Sequence, residues 1–98
     1  MSERTRRVET TGRYERAYAR FVGRDRRSEQ CIEETIKTLL KNPCEPHLKT
    51  HALKGALAGM LSCRCGYDCR LLFTLREEPR TNTELIILLD VGTHDEVY

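Results

Sequence analysis

Tyr14, Ala17, Tyr18 and Phe21 fall at i, i+3, i+4 and i+7, the spacing of a single stripe along a helix, while Arg13, Arg16 and Arg20 project mostly elsewhere. Gly23 is the expected end of that helix. A second helix is expected to start with Asp25 or Ser28 as its cap, and Ile32, Ile36, Leu39 and Leu40 again have helical spacing. Lys41 in its last turn, followed by Asn42 and Pro43, marks the stop. Ahead of both helices a short strand is read near residues 7–10. Residues 42–52 are polar, carry two prolines and read as a connection held down by Leu48. From about Ala56 the period changes to two, predicting strands at roughly 59–64, 68–75 and 84–91, with turns at Gly66 and at residues 79–82. Residues 85–89 are apolar on both faces, the mark of an interior strand covered on each side. The sum is an α+β domain: strand, two helices, then a three-stranded meander.

At 98 residues and 39% hydrophobic, the chain suits one compact domain, residues 1–98, with a single core. No apolar run approaches the ~20 residues needed to cross a bilayer, and no apolar stretch follows the charged first residues to make a signal peptide. The expectation is a cytoplasmic protein without a membrane partner. Five cysteines are an odd set for such a chain, so reduced thiols serving mostly as small core fillers are expected rather than a disulfide framework. The net charge of +2 conceals an uneven spread, because residues 1–27 hold nine arginines against four acids. That block suits an anionic partner such as RNA, and equally a solvated helix face.

A three-residue Cys65-Gly66-Tyr67 loop would set Arg64 directly opposite Asp68, with Arg70 joining them by alternation. Cys63, Cys69, Leu71, Phe73 and Leu75 would then fill the core face. A loop one residue shorter would turn Arg64 into the core, which disfavours it. His51 and Lys54 lie just before the meander, and His94 and Tyr98 just after it. Convergence of these segments on the polar face would gather imidazoles, a carboxylate and several cations. Such a set suits RNA cleavage by 2′-hydroxyl attack on the adjacent phosphate, which needs a base, an acid and cations for the phosphorane, but no metal or other cofactor. Each residue also has a plainer reading: His47 and His51 as loop residues, Asp68 closing the turn, Tyr98 anchoring the C-terminus. Structural zinc is a further alternative, although Cys63, Cys65 and Cys69 lack the pairing of a zinc ribbon.

The segments His51-Ala52-Leu53-Lys54-Gly55, Gly66-Tyr67-Asp68-Cys69-Arg70-Leu71 and Val91-Gly92-Thr93-His94-Asp95-Glu96-Val97-Tyr98, in that order after two helices, resemble the RelE/ParE superfamily of bacterial toxins, most nearly its YafQ-type messenger-RNA interferases. The resemblance covers nearly the whole chain and is most specific at the C-terminus. It implies a β-α-α-β-β-β domain with two N-terminal helices packed on a mainly antiparallel four-stranded sheet. It also implies the toxin of a type II toxin-antitoxin system: an endoribonuclease that cuts messenger RNA in the ribosomal decoding site without a metal, and that a cognate antitoxin inhibits. By motif, the YafQ-like active residues fall on His51, Asp68, His94 and Tyr98, while a position that is histidine in YafQ is Arg64 here. On that basis His94 is assigned as general acid, Asp68 or His51 as general base, Arg64 and Arg70 to phosphate charge, Lys54 to the RNA backbone, and Tyr98 to stacking or positioning. Two other readings share the fold: a ParE-like inhibitor of DNA gyrase, and a catalytically degenerate member that only binds antitoxin or RNA.

Overall fold

Thr83–Gly92 forms the longest strand, β5, and the rest of the chain is arranged around it. The computed structural model describes residues 5–98. On one side of β5, β1 (Thr5–Thr10) pairs in parallel; on the other, β4 (Arg70–Glu78) pairs antiparallel. Beyond β4 lie β3 (Leu61–Arg64) and a two-residue strand, β2 (His51–Ala52), giving the order β1-β5-β4-β3-β2. Among the described residues the sheet therefore has five strands, not four. β2 is too short to show any alternation, and only its pairing of His51 with Ser62 and Ala52 with Leu61 makes it a strand. β5 is the interior strand that its doubly apolar sequence predicts.

Two helices cover one face of this sheet. In α1 (Gly12–Arg24) the Thr11 hydroxyl accepts the Tyr14 amide at 3.1 Å, and the predicted stripe buries Tyr14, Ala17 and Phe21. The helix runs through Gly23 and ends one residue later, with Asp25 as its C-cap. In α2 (Arg27–Lys41) the Asp25 carboxylate accepts the Arg27 amide at 3.1 Å. Ser28 turns its hydroxyl back to the Asp25 carbonyl, and the N-cap position falls on Arg26, which makes no side-chain capping bond, so neither expected residue occupies it. Ile32 and Leu39 are buried, Ile36 and Leu40 half-buried, and the helix stops before Pro43 as its sequence predicts.

Between helices and sheet sit Leu39, Leu71, Phe73, Ile86 and Leu88, all with no exposure, together with Ile32, Leu48 and Val91. Each such side chain contributes roughly 1.5–3 kcal/mol relative to exposure. Simple alternation cannot put both Leu88 and Val91 on this face, since they are three residues apart. A β-bulge resolves it: Phe73 pairs with Leu88 but Leu72 with Asp90, so Leu89 is the extra residue.

After β5 the chain folds into α3 (His94–Val97), an element without a periodic signal in the sequence. Thr93 and Glu96 close a capping box, the Thr93 hydroxyl accepting the Glu96 amide at 3.3 Å and the Glu96 carboxylate accepting the Thr93 amide at 3.0 Å. Gly92 permits the approach, because a Cβ there would lie 3.1–3.2 Å from Glu96 atoms. Val97 is buried beneath. Among the described residues no helix is long and apolar enough to cross a membrane.

Candidate active site

The sheet face turned away from α1 and α2 carries the chemistry, and the hairpin between β3 and β4 sets its register. Arg64 pairs with Arg70, not with Asp68, and residues 65–69 form the loop. This corrects the three-residue loop expected from burial. The shift is by two residues, so side-chain parity is retained: Arg64 and Arg70 still share a face, and Cys63, Leu71 and Phe73 still enter the core. A core constraint distinguishes odd from even slips, but not one even register from the next.

What fixes the longer loop is covalent. Cys65 and Cys69 form a disulfide, with Cα atoms 5.0 Å apart, and the Cys65 amide also donates to the Cys69 carbonyl at 3.0 Å. The expectation of reduced thiols is corrected at Cys65 and Cys69, whereas Cys31, Cys44 and Cys63 are free thiols; two of the cysteines weighed for zinc serve a loop clasp instead. Inside it Gly66 has φ +128° and Asp68 φ +49°, a left-handed conformation that aspartate tolerates better than most residues. The Asp68 carboxylate is thereby brought to the start of α3, where it accepts the His94 amide at 3.3 Å. Asp68 is therefore in the site, but through α3 rather than opposite Arg64.

Tyr98 reaches back over the sheet. Its hydroxyl hydrogen-bonds the Ser62 hydroxyl, and its ring meets the His94 ring edge-on, with centroids 4.6 Å apart. Ser62 in turn pairs with His51 across β2 and β3. Contacts thus run from Ser62 through Tyr98 and His94 to Asp68, with His51 at the neighbouring register position. Ser62 is fully buried and went unnoticed in the sequence; its only sign there was its place two residues before Arg64, on the same face of β3.

Arg64 and Arg70 stand directly opposite each other beside these contacts. Arg64 donates to the Gly66 carbonyl at 3.4 Å and Arg70 to the Cys69 carbonyl at 3.1 Å; among the described residues neither guanidinium meets a carboxylate. Like charges opposed across strands disfavour the unliganded sheet, and an anion between them removes that cost. With His51 and Lys49 they line a cavity of about 270 Å³. Lys49, held at φ +53°, is a cation missed in the sequence, while Lys54 is exposed beyond β2 and does not line this cavity. His51 Nδ1 lies 3.0 Å from the Lys49 carbonyl, which leaves Nε2 for a ligand. His47 sits instead in the 46–48 turn beside Glu45.

A family model described as the YafQ bacterial toxin of type II toxin-antitoxin systems matches residues 6–98. The chain belongs to the YafQ family. Solved structures agree in fold. YafQ from E. coli superposes with a TM-score of 0.77 at 17% identity, covering 95% of this chain and 98% of that one. A YoeB/ParE toxin from Agrobacterium tumefaciens gives 0.74 at 19% identity, covering 90% and 98%. The E. coli DinJ–YafQ toxin-antitoxin complex gives 0.72 at 18% identity, covering 96% and 98%. Comparison with curated proteins gives no match. The mixed fold, with helices on a mostly antiparallel sheet, is that of RelE-like toxins, as the resemblance implied.

Proposed function

We propose that this toxin is a ribosome-dependent, metal-independent endoribonuclease that cuts messenger RNA by attack of the 2′-hydroxyl on the neighbouring phosphate. The observation that carries the reading is the pair Arg64 and Arg70, directly opposed on an open face and unmatched by acid among the described residues, with His51 to one side and the His94–Tyr98 ring pair to the other. Two forked donors suit a phosphodiester and the extra charge of its phosphorane. His94, exposed on α3, serves as general acid toward the leaving 5′-oxygen. His51 is the better general base, since Asp68 is engaged with the His94 amide and acts by positioning α3. Tyr98 orients the His94 ring and offers its exposed edge to a base. Lys54 extends the cationic surface for the RNA backbone.

The DinJ–YafQ complex motivates a second part of the proposal, that a cognate antitoxin holds this chain inactive. A ParE-like gyrase inhibitor on the same fold would leave the opposed arginines and both imidazoles without a role. The test is purified protein with ribosome-bound messenger RNA. Cleavage is expected, and His94→Ala is expected to abolish it with the circular dichroism spectrum unchanged. Growth arrest that persists in His94→Ala, with no cleavage by either protein and with gyrase inhibited, would overturn the reading.

A further inference from the structure

Beside the disulfide clasp lies a third cysteine that the proposed nuclease does not use. Cys31, on α2, is exposed, and its Sγ lies 3.7 Å from where a Cβ on Gly66 would stand. Cys31 and Cys65 line two cavities together, one of them shared with Cys69. The bridge itself is shielded, Cys65 and Cys69 each being only 2% exposed. An exposed cysteine thus abuts the loop that a buried disulfide closes, and shares two cavities with one of the bridge's residues.

We infer that Cys31, Cys65 and Cys69 form a thiol–disulfide exchange site, through which a small dithiol opens the loop that holds Asp68 and its cyclic disulfide closes it again by the reverse steps. In the first step the Cys31 thiolate attacks Cys65 Sγ: the Cys31–Cys65 bond forms, the Cys65–Cys69 bond breaks, and Cys69 leaves as a thiolate that takes a proton from water. The bridge now includes the exposed sulfur of Cys31. A dithiol thiolate attacks that sulfur, Cys65 leaves as a thiolate and is protonated, and the reagent's second thiolate releases Cys31. Overall the protein disulfide gains two electrons and two protons, and the dithiol becomes its cyclic disulfide. Cys63 takes no part, because it is buried and burial pushes its thiol up to about 12, far from the thiolate form.

The consequence for activity rests on the nuclease reading. The clasp constrains Gly66 and Asp68 at positive φ, and Asp68 caps the amide of His94. Opening the clasp frees Asp68 to leave the left-handed region, and the His94 end of α3 loses its anchor.

The experiment uses the full chain. Reduction by dithiothreitol is followed by alkylation quench and mass mapping of the disulfides, for wild type and for Cys31→Ser. A transient Cys31–Cys65 bridge is expected in wild type, and reduction at least roughly tenfold slower in Cys31→Ser, whose exposed site tolerates serine. Equal rates with no Cys31–Cys65 species would overturn the exchange route. In parallel, exchange of the His94 amide is expected to rise at least roughly tenfold on reduction, and messenger-RNA cleavage to fall with it. Cys65→Ser/Cys69→Ser should match the reduced protein in either buffer. An unchanged His94 amide would overturn control of the loop. Absence of cleavage in every state would instead count against the nuclease reading, since mapping and amide exchange report on the site independently.

Discussion

Glu96 is the residue on which α3, and with it His94 and Tyr98, most depends. A four-residue helix has no stability of its own. Glu96 accepts the Thr93 amide at 3.0 Å and takes the Arg24 guanidinium at 2.9 and 3.0 Å through its two oxygens. The capping bond contributes about 0.5–1.5 kcal/mol. The ion pair adds about 0.2–1 kcal/mol, at the low end because both side chains are more than a third exposed. Glu96→Ala should therefore weaken α3 by about 1–2 kcal/mol, raising its opening constant by a factor of about 5–30. The assay is hydrogen exchange at Val97 and Tyr98, whose amides donate to the Thr93 and His94 carbonyls at 3.2 Å. Arg24→Ala, which removes only the ion pair, should raise exchange by less than about fivefold. Exchange in Arg24→Ala equal to that in Glu96→Ala, or no change in either, would refute this account of the cap. The effect also has a pH signature. The Thr93 amide first, then the Arg24 guanidinium, hold the Glu96 carboxyl below the usual carboxylate range. A depressed folded-state pKa means stabilisation that is complete above the unfolded-state value and is lost as pH falls through the folded one. The Tm advantage of wild type over Glu96→Gln should thus be full at neutral pH and shrink in acid below the usual carboxylate range.

Leu88→Ala, at a core position with no exposure, should cost about 2–5 kcal/mol in chemical denaturation. A loss below about 1 kcal/mol would place Leu88 outside the main core. Arg70→Ala should remove messenger-RNA cleavage without lowering Tm, because it relieves a like-charge pair worth roughly 0.2–1 kcal/mol. A large fall in Tm would instead assign Arg70 to the fold.

Much of the fold was legible in the sequence, because burial leaves a periodic trace. The stripe from Tyr14 to Phe21, the Lys41-Asn42-Pro43 stop and the doubly apolar run 85–89 each report a local geometry that the helices and β5 then adopt. The face shared by Arg64 and Arg70 was legible for the same reason, since keeping a guanidinium out of the core fixes parity. Residues that carry no period were not legible. β2 is two residues long, α3 is four, and the Leu89 bulge breaks the alternation that would reveal it.

By itself, then, the sequence determined the succession of elements, which side of each is buried, and the chemical types at the C-terminal tail. The tertiary structure decided how those types meet. The Cys65–Cys69 bridge chose between registers of equal parity and turned Asp68 from a partner of Arg64 into a cap for His94. The Ser62–Tyr98 bond spans thirty-six positions of chain. Contacts of that kind depend on where two separately stable elements pack, and patterns within a single element carry no record of them.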